Sequence, residues 1–239
     1  MFLTGDFSEW FDDFKMRFIN DFITDNRWKY LWNGLGVTIK ITLGALVLGV
    51  VLGFLIAAIR STHDKTGKLK VLNFIAHIYL TVIRGTPVVV QLLITYFVIL
   101  APLGVDEIIV AICAFGINSG AYVAEIVRAG IMSIDNGQFE AGRSLGFNYR
   151  QTMWYIILPQ AFKNILPALC NEFIVLLKET SVAGYVALQD LTKGGDIIRG
   201  RTFDAFLPLI AVALIYLVIV MILTKLVSIL ERKLRSSEH

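Results

Sequence analysis

Three histidines and two cysteines are the only imidazole and thiol groups in this chain of 239 residues, and they do not cluster. His63 and His77 have no companions at metal-binding spacing. Cys113 and Cys170 each fall inside an apolar run, where a buried thiol is the expected role, so neither a metal site nor a disulfide framework follows. Charge is also scarce: 17% of residues are charged, against about a quarter in an ordinary soluble domain. The net charge of +3 is small and scattered, which argues against a nucleic-acid partner. Neither a phosphate-binding GxxxxGK[ST] loop nor a nucleophile elbow is present, so no catalytic residues and no cofactor are expected in this chain itself. The opening residues, MFLTGDFSEWFDDFKMRF, mix acids with aromatics where a secretory signal needs a basic start and an apolar core. The mature chain is therefore expected to begin near Met1.

What the chain has in excess is apolar sequence. Hydrophobic residues make up 56% of it, and the mean hydropathy is +0.69. They gather in stretches long enough to cross a hydrocarbon layer about 30 Å thick at 1.5 Å rise per residue, which predicts an all-α integral membrane protein. Five spans are expected, at residues 35–59, 69–100, 108–130, 161–177 and 206–226. The second is too long for one straight helix and is broken around Arg84, Gly85, Thr86 and Pro87, because Pro87 lacks an N–H and disfavours helix at Thr86. In the first, Gly44, Gly49 and Gly53 leave one side open to a neighbouring helix. Arg60, Lys65, Lys68 and Lys70 follow the first span, and a basic amphipathic tail follows the last; both mark the cytoplasmic side. Alternation then puts the N-terminus outside and the C-terminus, residues 233–239, in the cytoplasm. Residues 1–32 stand apart from the membrane domain of 33–232. Phe11, Phe14, Phe18 and Phe22 recur at three or four positions, which fits an amphipathic helix in the membrane interface and equally an aromatic belt at the mouth of the first span.

Between the third and fourth spans lies a stretch that is polar and turn-rich at its start, FEAGRSLGFNYRQTMWYIILPQAFKNILP at 139–167. Its punctuation predicts two helices with an elbow. A short helix over 139–145 ends at Gly146, which accepts a left-handed backbone; Asn148 caps the next; Pro159 and Pro167 free carbonyls at Tyr155 and Lys163 and bend the way into the fourth span.

Glu140, Ala141 and Gly142, followed by Gly146, Ile156, Leu158 and Pro159, resemble the EAA signature of permease subunits of type I ATP-binding cassette (ABC) importers. One position departs, with Gly142 where the family usually has alanine. RGTPVVVQL at 84–92, INSGAYVAEIVRAGI at 117–131 and NEFIVLLKETS at 171–181 are similar to the polar amino acid uptake branch, with Glu179 and Val182 replacing the usual Asp and Leu. The resemblance covers about 33–232. It implies a permease of the bacterial inner membrane whose EAA loop is a coupling helix seated on a separate cytoplasmic ATPase subunit, which binds the ATP and Mg. It also implies a second permease subunit, the same chain or a paralogue, an extracytoplasmic binding protein, and a polar amino acid as cargo.

Candidate path residues are Gln91, Asn118, Ser119, Tyr122, Glu125 and Glu172. Asn118, Tyr122 and Glu125 share a helical face, Gln91 and Thr95 lie four apart beyond the Pro87 break, and polar groups at membrane depth normally face the bundle interior. Glu125 or Glu172 would accept from a substrate ammonium, and Asn118, Ser119 and Gln91 would donate to its carboxylate. A structural alternative stays open: Glu125 pairs with Arg128 three residues on, and Asn118 and Ser119 are interhelical glue. Two functional alternatives stay open as well, an ion-gradient-driven transporter with Glu125 and Glu172 carrying a proton, and a membrane anchor for a cytoplasmic partner.

Overall fold

A computed structural model describes residues 7–236. The first six residues of the N-terminal segment, and with them the expected start near Met1, lie outside the described residues, as do positions 237–239 of the tail. Among the described residues all regular structure is helical: α1 Phe7–Phe18, α2 Trp28–Thr66, α3 Lys70–Gly85, α4 Val88–Leu93, α5 Glu107–Met132, α6 Asn136–Ser144, α7 Tyr149–Thr152, α8 Leu158–Glu179, α9 Leu191–Thr202 and α10 Phe206–Ser236.

By length and composition three of these helices cross a bilayer: α2, α5 and residues Phe206–Leu234 of α10. Helices α3 and α4, the latter extended by a π-helical turn over Ile94–Leu100, form a pair bent by 110° at Thr86 and Pro87, the expected broken segment. The fourth expected span is a helix, α8, 22 residues long. It carries Gln160, Lys163, Asn164, Asn171, Glu172, Lys178 and Glu179, and is too polar to qualify on composition.

Helix α5 is the most enclosed of the three long helices and forms the axis of the bundle. Helix α2 runs alongside it in the same direction, so that Gly44 meets Ile112, Gly49 meets Ser119 and Gly53 meets Val123. A Cβ at Gly49 would stand 3.1 Å from Ser119 Oγ and 3.2 Å from the Gly120 nitrogen, so the small residues of α2 set how closely the two axes approach. The opposite face of α2 points outward through Ile39, Leu43, Val47, Val51 and Leu55, a stripe at four-residue spacing suited to lipid. Helix α8 returns antiparallel to α5: Ile165 lies on Gly130 near one end and Glu172 beside Ser119 in the middle, and just past the other end Thr180 lies beside Thr42 of α2. The two ends of the bundle thus differ. One carries the elbow, the other α9 and the start of α10.

Candidate coupling elbow and transport path

The elbow forms as its turn residues dictate. Helix α6 starts at Asp135, whose carboxylate accepts from Gly137 N, and ends in a Schellman turn. Phe147 N donates to Gly142 O at 3.0 Å and Gly146 N to Arg143 O at 2.9 Å, with Gly146 at φ +80°. Asn148 caps α7 in a full capping box: its Oδ1 accepts from Gln151 N, and Gln151 Oε1 accepts from Asn148 N. The chain then passes through a π-helical turn, Met153–Ile157, just before Pro159, which takes a first-turn position of α8. Pro159 thus falls where a missing N–H costs least. Helix α8 runs without interruption through Pro167.

Glu140 and Ala141 face outward on α6, and Leu158 and Pro159 stand at the start of α8. Gly142 is buried, and the reason is specific. A Cβ there would lie 2.7 Å from Thr152 Cγ2 and 2.8 Å from Thr152 Oγ1, with Ile156 Cδ1 at 3.2 Å. The familial alanine does not fit while a threonine occupies 152.

The elbow is rigidly mounted. Ile157, Ala161 and Ile165 bury against Val123, Val127 and Ile131 of α5 and Ala57 of α2, with Phe139 and Met153 packed on this cluster. Asn164 Nδ2 donates to Ser133 Oγ at 2.9 Å. The last turns of α2 add polar ties at i, i+4 and i+5. Arg60 Nη1 donates to Glu125 at 2.6 Å, Arg128 of α5 bonds Asp64 at 3.2 Å, and Lys65 lies 4.4 Å from the Phe139 ring centroid and 3.4 Å from Asn136 Oδ1. Nothing in the loop signature pointed to α2 as a support.

The six path candidates separate into two groups on different sides of α5. Gln91, Asn118, Tyr122 and Glu125 surround the α3–α4 break. Asn118 Nδ2 donates to Gln91 Oε1 at 2.9 Å, while Gln91 Nε2 donates to Ile83 O, Thr86 O and Thr86 Oγ1. Gln91 therefore satisfies the backbone that Pro87 left open, and is not spare capacity for a ligand. Asn118 Oδ1 is buried and accepts no hydrogen bond. Ser119 instead donates to Glu172 Oε1 at 2.8 Å, facing α8.

The Glu125–Arg128 pair, left open as the structural alternative, does not form. Glu125 binds Arg60 and lies 3.9 Å from Arg84 Nη1, and Arg128 is taken by Asp64. Arg84 also stands 5.7 Å from the Tyr122 ring centroid. Two guanidinium groups against one carboxylate leave the cluster one positive charge in excess, which is the wrong sign for Glu125 to receive an ammonium. Arg84, its side chain 45% exposed, is the less committed cation. From the sequence it belongs to the helix break and to the 84–92 resemblance and not to the path candidates, although a cation within an apolar run is itself a signal of function. Among the described residues no cluster of three metal-ligating side chains occurs.

Comparison with known proteins places this geometry. The arginine transport system permease protein ArtQ of Bacillus subtilis (strain 168) is 40% identical over 87% of this chain and 94% of its own length. A putative glutamine transport system permease protein, GlnP of Rickettsia typhi, is 37% identical over 86% and 93%. A crystal structure described as an amino acid ABC transporter with histidines superposes with a TM-score of 0.81 at 42% identity, over 89% of this chain and 98% of that one. Residues 49–236 match the family described as binding-protein-dependent transport system inner membrane component. The chain is a multi-pass permease of the type I ABC importer fold, and it belongs to that family.

Proposed function

We propose that the chain imports a polar amino acid as one of two permease subunits, the partner being a second copy or a paralogue. It crosses the membrane five times, α8 included, within residues 33–232, with the elbow and tail 233–239 in the cytoplasm and the N-terminus outside. Basic residues at the elbow end, among them Arg60, Lys65, Lys68, Lys70, Arg143 and Arg150, support that orientation.

Glu140, Ala141, Gly142, Gly146, Leu158 and Pro159 form the coupling element for a separate ATP-binding cassette subunit, which holds ATP and Mg. The observation that carries this is mechanical. Helix α6 is stiffened by a cap at each end and fused to α5, α8 and α2, so a push on its exposed Glu140 face becomes a tilt of spans and is not absorbed by a loose loop. ATP-driven closure brings the paired elbows together and opens the path to an external binding protein; hydrolysis reverses it.

The substrate path runs along α5. Arg84 receives the substrate carboxylate beside Tyr122, since the Arg60, Glu125 and Arg84 cluster carries the surplus positive charge. The buried Asn118 Oδ1, which accepts no hydrogen bond, is a spare acceptor for an ammonium hydrogen, and Glu172, held by Ser119, forms a separate acidic point facing α8. The relatives' names, arginine in one and glutamine in another, support an amino acid as the substrate class.

Reconstitution with an ATPase subunit and a binding protein tests the proposal. Uptake is expected to require ATP and to be lost in Glu140→Lys. Uptake by this chain alone, driven by a pH gradient and indifferent to Glu140→Lys, would overturn it in favour of a secondary transporter.

A further inference from the structure

The family match begins at residue 49, so the N-terminal segment falls outside it. In α1, Trp10, Phe11, Phe14 and Phe18 fall within an arc of about 100° at 100° per residue, while Glu9, Asp12, Asp13, Lys15 and Arg17 occupy the rest of the circumference. The four aromatics are 59%, 53%, 38% and 44% exposed, and Trp10 stacks on Phe14 with centroids 5.7 Å apart. A face this aromatic does not stay in water without a partner surface.

The fold fixes where that face lies. Arg17 binds Asp204 through Nε at 2.8 Å and Nη2 at 2.7 Å. Asp204 Oδ1 in turn accepts from Phe206 N at 2.9 Å, at the first residue of the long apolar helix α10. The end of α1 is thus clamped at the level where α10 enters the hydrocarbon. Phe203, in the same turn, is 94% exposed and held at φ +57°, a conformation unfavourable for an aromatic residue, and Phe206 is also exposed. Beneath the clamp, Phe22 buries with Leu31 of α2, Leu191 and Ile198 of α9, and Leu207 and Val212 of α10. Asp25 and Asn26, both at positive φ, turn the chain from this segment into α2.

We infer that α1 is an interfacial anchor: its Trp10, Phe11, Phe14 and Phe18 face, together with Phe203 and Phe206, inserts into the boundary of headgroups and acyl chains, and the Arg17–Asp204 clasp fastens the outer ends of α2, α9 and α10 to that lipid surface. Lipid is favoured over a soluble protein partner because the patch is phenylalanine-rich, is pinned at the mouth of a span, and is backed by a charged arc that stays in water. The inference rests on the membrane-spanning reading above. It adds a fixed point at the end of the bundle opposite the moving elbow.

The test uses the full chain in its assembled complex in phospholipid nanodiscs, with Trp10 as the single tryptophan after Trp28→Phe, Trp32→Phe and Trp154→Phe. Lipids carrying a spin label near the headgroup or deep in the acyl chain are the quenchers, with iodide as the aqueous one. The expected result is strong quenching by the shallow label, weak quenching by the deep label and protection from iodide; adding Arg17→Gln should raise iodide access several-fold. Free iodide access without lipid quenching, or protection that appears only when the external binding protein is added, overturns the anchor. A chain that fails to enter nanodiscs at all refutes the membrane reading instead. If the triple replacement folds poorly, hydrogen exchange is followed in Trp10→Ser, Phe11→Ser, Phe14→Ser. Several-fold faster exchange over residues 7–22 is expected, and exchange equal to the native chain refutes the inference.

Discussion

Replacing Gly142 with alanine restores the residue usual in the EAA signature, and on helix propensity alone Gly142→Ala should stabilise α6 by about 0.8–1.0 kcal/mol. The packing opposes this. The new methyl would stand 2.7 Å from Thr152 Cγ2 and 2.8 Å from its Oγ1, and overpacking of that kind costs about 1–3 kcal/mol. The net expectation is a loss of up to about 2 kcal/mol, or no gain at best. Thr152 is itself buried, and its hydroxyl has no hydrogen-bond partner. Thr152→Ala therefore removes an unsatisfied group whose burial costs about 1–3 kcal/mol, in exchange for one lost methyl worth about 0.8 kcal/mol. In that background the two closest contacts of Gly142→Ala are gone, the next is Ile156 Cδ1 at 3.2 Å, the end of a side chain that can turn aside, and the propensity gain reappears. The same substitution should thus change sign with residue 152, a coupling of about 1–3 kcal/mol between neighbours. Thermal melting of the purified chain and its three variants in one detergent reads this, since 1 kcal/mol corresponds to about 2–4 °C for a chain of this size. Equal effects of Gly142→Ala in both backgrounds would refute the packing argument.

Other consequences are more easily stated. Lys65→Ala removes both the Phe139 contact and the Asn136 bond, so uptake per ATP hydrolysed should fall while ATP turnover persists. Lys65→Arg, which keeps the cation over the ring, should restore much of the ratio; no difference between the two would remove α2 as a strut for the elbow. Glu125→Gln leaves Arg60 and Arg84 facing each other without a carboxylate and should lower the melting midpoint by the equivalent of about 1.5–3 kcal/mol, the worth of a charged hydrogen bond, with partial recovery in Glu125→Gln, Arg60→Gln. The outer clasp should respond to pH in two ways. Burial pushes the Asp21 carboxyl up, beside Thr202, Asp204 and Arg17, so its charged form opposes the fold and acidification from neutral toward its raised pKa relieves that cost. Asp204 is held low, chiefly by its bond to Arg17, against the desolvation that would raise it; its contribution is full above the ordinary carboxylate range and is lost only as pH falls through its depressed pKa. Asp21→Asn should therefore stabilise residues 7–26 at neutral pH and abolish the gain on mild acidification, as read by hydrogen exchange.

Much of the architecture was legible because membrane helices announce themselves one at a time. A run of apolar residues of sufficient length is a property of a local segment, and so are the Schellman glycine at 146, the Asn148 cap and the break at Pro87. The EAA spacing is local too, which is why the elbow was found from residues 139–167 alone. Helix α8 was harder: its polar residues make it marginal as a span by composition, and its place depends on what α5 and α2 offer those groups.

Pairing between helices was beyond the sequence. Glu125 and Arg128 sit three apart and suggested each other, yet both reach across to α2, because Arg60 and Asp64 stand one turn apart on the parallel neighbour and compete better. Gln91 looked like a ligand group and is instead spent on the carbonyls of the break at Pro87. By itself the sequence determined where the chain crosses apolar surroundings, where it turns, and that its elbow resembles a coupling element. Only the tertiary structure decided which charges neutralise which, why position 142 excludes a methyl group, and that α1 is clasped to the mouth of α10. Local backbone preference is written in adjacent residues, whereas charge pairing and close packing depend on side chains brought within a few ångströms of one another from distant parts of the chain.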